Sequence, residues 1–142
     1  MAGLDEFIGQ YHRTLEAFGQ GDPEPTLTLW SRQDDVTLAN PFGPPVRGWK
    51  AVRNTSERAA AQVAGGEAFS TERISMYATT DLGYLLEIQR FRAKVGGANA
   101  ATPVSLRVTT IFRYEEDGWR IVHRHADPIT GERSAESLLQ QS

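Results

Sequence analysis

The stretch that decides the fold is residues 104–127, VSLRVTTIFRYEEDGWRIVHRHAD. Both of its ends alternate apolar and polar side chains and are rich in β-branched and aromatic residues, and Glu115-Glu116-Asp117-Gly118 between them has the composition of a tight turn. The reading is a hairpin in which Tyr114 faces Trp119, Phe112 faces Ile121, Thr110 faces His123 and Val108 faces His125. One face then carries Leu106, Val108, Thr110, Phe112 and Tyr114 beside Trp119, Ile121, His123 and His125. The other carries Ser105, Arg107, Thr109 and Arg113 with Arg120, Val122 and Arg124. The apolar face is expected to meet the rest of the chain, so His123 and His125 are expected to point inward. Two buried imidazoles need hydrogen-bond partners, so the interior beside them is expected to be polar, with Thr110 a neighbour.

Working outward, residues 82–94 and 69–77 have the same period of two, and short connections make the four runs an antiparallel meander. Upstream the period becomes helical. Leu4, Phe7, Ile8, Tyr11, Leu15 and Phe18 are spaced by three and four before Gly19-Gln20-Gly21, which predicts a first helix with one buried stripe. Asp22 and Pro23 open a brief second helix, 36–39 is a short strand, and 40–45 is an irregular loop holding Pro41, Pro44 and Pro45. A third helix is expected over 48–64, stopped by Gly65-Gly66. The expected class is α+β: about three N-terminal helices packed into a curved antiparallel sheet, with a small-molecule pocket between them. Residues 1–142 form one domain in this reading, with 128–142 a C-terminal tail in which Ser134 can cap a short helix.

Composition narrows the function. Hydrophobic residues at 39% are too many for a disordered chain, and 15 basic against 18 acidic residues give a net charge of −3 without the basic field that nucleic acid requires. The absence of cysteine excludes disulfides, thiolate nucleophiles and Cys-based zinc sites. Residues 1–10 lack a basic start followed by an apolar run, and no stretch approaches a membrane span, so a cytoplasmic location is expected. No glycine-rich phosphate loop is present.

Several words in the chain carry a family resemblance: Gly21-Asp22, Asp34-Asp35-Val36, Asn40-Pro41-Phe42-Gly43, Val46-Arg47-Gly48-Trp49 and, most specifically, Gly118-Trp119-Arg120-Ile121-Val122-His123. Together with the element order they make the chain resemble the nuclear transport factor 2-like superfamily, and within it the SnoaL-like and ketosteroid-isomerase-like proteins. The resemblance implies a cone-shaped barrel, the cystatin-like roll, with a pocket between sheet and helices, and a homodimer paired through the outer sheet face. It implies no fixed activity, since the superfamily holds isomerases, polyketide cyclases, dehydratases, epoxide hydrolases and binding modules. Aligned with ketosteroid isomerase, Asn40 stands where the carboxylate base would be, Thr14 at the tyrosine and Thr110 at the second acid. An amide takes no proton at neutral pH and threonine is a far poorer acid than phenol, which argues against steroid isomerisation by that route.

His123 and His125 are then the leading proton-transfer candidates because free imidazole titrates near neutrality. With Asp127 they also alternate along one strand, although Pro128 ends it, and no metal is expected. Glu87 interrupts an apolar run. It reads as a base, as half of an ion pair with Arg90 or Arg107, or, by its opposite parity to Leu86 and Ile88, as an exposed or dimer-interface residue, the reading preferred here. Trp30, Phe42 and Trp49 are candidate ligand contacts at the mouth of the cone, beside their simpler role in packing. Asn40 either orients a ligand carbonyl or caps the turn before Pro41. The expected function is binding of a small apolar or polyketide-like molecule, with acid–base isomerisation, cyclisation or dehydration and no cofactor; the alternative is a non-catalytic ligand-binding or dimerisation module.

Overall fold

Leu4, Phe7, Ile8, Tyr11 and Leu15 lie one or two per turn on one side of α1 (Leu4–Gly19), and all are buried. They face the sheet, with the Phe7 and Tyr11 rings packed edge-on against Phe112 at 5.8 and 6.1 Å between centroids. The computed structural model that gives these positions describes residues 3–139. α1 is followed by the single turn of α2 (Glu24–Leu27), whose entry is fixed by Asp22 Oδ1 accepting the Glu24 N–H at 3.1 Å. Next come β1 (Thr37–Ala39), β2 (Val46–Arg47) and α3 (Trp49–Ala60). The sheet is completed by β3 (Val63–Ala78), β4 (Leu82–Val95), β5 (Thr102–Glu115) and β6 (Gly118–Asp127).

The six strands run in the order β2-β1-β6-β5-β4-β3, so the last four form the expected meander, and only the β1–β6 pair is parallel. The sheet curves without closing, with β2 and β3 at its edges. β3 carries three register shifts, and bulges of this kind bend a strand, here around α1. Two differences from the sequence reading concern length. β2 forms beside the proline-bearing loop, where no strand was expected. α3 ends at Ala60, and Gly65-Gly66 belong to β3 instead of stopping the helix. The tail carries one 3-10 turn, Ala135–Leu138, and its last three residues lie outside the described ones. Among the described residues no helix is long and apolar enough to cross a membrane.

The consequential correction is in β6. Phe112 pairs with Ile121 as expected, but Ile111 pairs with His123 and Thr110 with Arg124, leaving Val122 as one extra residue in the strand. Beyond this bulge every side chain changes face. His123 and His125 therefore lie on the outer face beside Ile111 and Thr109, with His125 half-exposed at 51%, and Arg124 points inward. The bulge sits where β6 changes its neighbour: Ile121 exchanges backbone hydrogen bonds with Leu29 and Ser31, whereas His123 to His125 pair with β1.

Candidate functional site

The parity of β4 is set by its pairing with β5. Leu85 lies opposite Thr110 and Glu87 opposite Val108, both fully buried, so Leu85, Glu87, Gln89 and Ala93 form the inner row. Glu87 is thus 1% exposed, which overturns the preferred reading of it as an exposed or interface residue. Its expected arginine partners are engaged elsewhere, Arg90 with Glu72 and Arg107 with Asp127. The partner of Glu87 is His12 on α1, whose Nε2 lies 2.9 Å from each carboxylate oxygen. Because both neighbours of Nε2 are acceptors, that nitrogen carries the hydrogen, and Nδ1 has no hydrogen-bond partner among the described residues.

A polar network runs on from this pair. Gln89 Nε2 donates to Glu87 Oε2 at 2.9 Å, and Gln89 Oε1 accepts from Arg124 Nη2 at 2.8 Å. An amide suits this place because it presents a donor to the carboxylate and an acceptor to the guanidinium. The Tyr11 hydroxyl oxygen accepts from Arg124 Nε at 2.9 Å and from Gln89 Nε2 at 3.4 Å, which directs its own proton to Thr110 Oγ1 at 3.1 Å. Four elements, α1, β4, β5 and β6, each contribute to a network in which the polar groups satisfy one another.

Beside it lies a cavity of about 490 Å³ between the second half of α1 and the concave sheet, with Leu15, Phe18, Phe69, Phe91 and Leu106 as apolar walls. Gln89 and Arg124 are its polar end, and the exposed Glu16 and Glu67 also border it. The His12 ring adjoins the wall residue Phe69, with centroids 6.4 Å apart.

Of the candidates named from sequence, Glu87 and Thr110 enter this network. Trp30 is buried in the core and Trp49 lies under the Arg32 guanidinium at 3.7 Å, so neither borders the cavity. Asn40 Oδ1 accepts the Phe42 N–H at 3.0 Å, which is the turn-capping alternative. Asn40 and the 56% exposed Phe42 border a separate groove against α3. Thr14 Oγ1 donates to the Tyr11 carbonyl at 2.7 Å and accepts from Thr26 at 2.9 Å, within the helical layer. On the outer face, Thr37 Oγ1 is 2.7 Å from His123 Nδ1 and Asp127 lies 3.2 Å from His125. Burial, and then the neighbouring His125, hold the His123 pKa below its ordinary value. Burial works to raise the Asp127 carboxyl, but the Ile129 amide and the Arg107 guanidinium outweigh it and its pKa lies below the ordinary value.

Sequence reasoning missed Tyr11, His12, Gln89 and Arg124. A signal existed for His12, a titratable residue beside a buried helical stripe, and for Gln89, which shares parity with Glu87. None existed for Arg124, whose face depends on the bulge.

No functionally curated protein matches the chain in sequence. Among solved structures it is similar to a ketosteroid isomerase-like protein from Erwinia carotovora atroseptica (15% identity, 89% of this chain and 94% of that one, TM-score 0.71). It is also similar to an NTF2-like superfamily protein from Salmonella enterica (17% identity, 92% of each chain, TM-score 0.70). A domain with a cystatin-like fold from Nostoc punctiforme matches too (16% identity, 96% of this chain and 83% of that one, TM-score 0.67). At these identities the likeness is one of fold, and the fold is NTF2-like. The sequence model of the SnoaL-like domain matches residues 6–129, nearly the whole chain, and the protein belongs to the SnoaL-like family.

Proposed function

We propose that this domain takes a small, largely apolar molecule into the cavity between α1 and the sheet and moves a proton on it without a cofactor, with His12 as the proton-transferring group and Glu87 holding it. The observation that carries this reading is the clasp of the buried Glu87 carboxylate on His12 Nε2. A carboxylate on one imidazole nitrogen fixes the tautomer and leaves the lone pair of the other nitrogen to act as a base. Isomerisation, cyclisation and dehydration all need such a group. The role moves to His12, whose ring adjoins the cavity wall at Phe69, from His123 and His125, which face away from the cavity, and Asn40 supplies no base because an amide takes no proton at neutral pH.

The test uses 5-nitrobenzisoxazole, a flat apolar probe whose carbon-bound proton is removed by a base as its N–O bond breaks, releasing a coloured phenolate. The protein is expected to turn the probe over, with His12→Gln slower by about 100-fold or more and Glu87→Gln slower by a smaller factor. Equal rates for the protein and His12→Gln would remove His12 from the reaction.

A further inference from the structure

At the polar end of the cavity stands a cation, Arg124, that no carboxylate touches directly among the described residues; Glu87 reaches it only through Gln89. Arg124 has five N–H groups, of which the Nε hydrogen is taken by Tyr11 and one on Nη2 by Gln89. No carboxylate lies within 4.0 Å of it among the described residues, in contrast to Arg107 and Arg113 on the outer face. Nη1 has no partner among the described residues and is not sealed from solvent, and Arg124 lines the cavity, so the Nη1 donors are the ones left for a ligand. The side chain is also preset. Gln89 cannot turn away, because its nitrogen serves Glu87, and the Tyr11 hydroxyl is fixed by Thr110.

We infer that the ligand of this cavity is a monocarboxylate with an apolar, ring-bearing body, its carboxylate on Arg124 and its body against Phe18, Phe69 and Phe91. A planar guanidinium with free donors matches a carboxylate in charge and geometry, and such charge-assisted hydrogen bonds are about twice as strong as neutral ones. The walls beyond it are aromatic and aliphatic, and about 490 Å³ is a common size for a small-molecule site. One positive charge faced by the exposed Glu16 and Glu67 favours a single anionic group over a polyanion. The inference rests on the cavity as the ligand site, and it stands apart from proton transfer by His12.

The experiment is calorimetric titration of the full chain with 2-naphthoate and 2-naphthamide, which share a body and differ in charge. Naphthoate is expected to bind more tightly by about tenfold or more. Arg124→Met should bring the two affinities together by weakening naphthoate alone, and Leu106→Trp, which fills the cavity, should weaken both. Where Arg124→Met does not fold, Arg124→Lys takes its place and should lose part of the preference. Equal binding of the two probes, binding of neither, or a preference untouched by the Arg124 variants overturns the inference. Equal binding of the two probes by the unaltered protein, with its His12-dependent benzisoxazole turnover present, sinks the carboxylate assignment alone; a naphthoate preference that needs Arg124, with no His12-dependent turnover, sinks proton transfer alone.

Discussion

Gln89 shows why a single side chain decides whether the interior network holds. It stands between Glu87 and Arg124 and satisfies both, so two full charges share one interior without touching. Gln89→Leu keeps the approximate volume but leaves Glu87 Oε2 and Arg124 Nη2 each short of a partner. A buried polar group that loses its partner costs about 1–3 kcal/mol, and the variant is expected to lose at least that much in urea unfolding. A loss near zero would mean that water replaces the amide. The surrounding run explains why Glu87 was misread from sequence: Tyr84-Leu85-Leu86-Glu87-Ile88 is apolar at both parities, and an isolated carboxylate in such a run looks cheaper outside than in. Its burial is offset by Gln89 and by His12, the latter 75 residues away in the chain.

At the scale of elements, α1 and β3 meet where two glycines touch. A Cβ on Gly66 would lie 2.8 Å from the Gly19 carbonyl carbon, oxygen and Cα, all of them backbone atoms that cannot swing aside. Both residues border the cavity, so this contact closes one of its walls. Gly66→Ala should destabilise the fold by about 1–3 kcal/mol, as overpacking commonly does, and lower the thermal midpoint. An unchanged midpoint would show that β3 slides at its bulges. The meander, the first helix and the Glu115–Gly118 turn were legible because period and turn chemistry are local properties. The bulge at Val122 was not, since it arises where β6 leaves Leu29 and Ser31 for β1, a handover between segments far apart in sequence.

For the whole molecule, the outer face gives a pH dependence of defined sign. The His123 pKa is depressed below 6.5, so as pH falls through that value the unfolded chain takes up the proton before the folded one does. The contribution of His123 is therefore complete above about pH 6.5 and is lost as pH drops toward the folded pKa. His123→Gln should flatten the fall of the thermal midpoint between about pH 7 and 5, measured against the unaltered protein. A steeper fall in the variant would reverse the assigned shift. Asp35, held below 3.8 by its hydrogen bonds with Arg113 against the pull of burial, has the same sign at lower pH: its stabilisation is present above 3.8 and lost as acid protonates it. The sequence by itself determined the α+β class, the order of helices and strands and the family, because spacing and composition fix which segments are helical or extended and which side chains seek the interior. Only the tertiary structure decided which charged groups enter the cavity, because a one-residue bulge exchanges the faces of a strand, here turning His123 and His125 outward and Arg124 in.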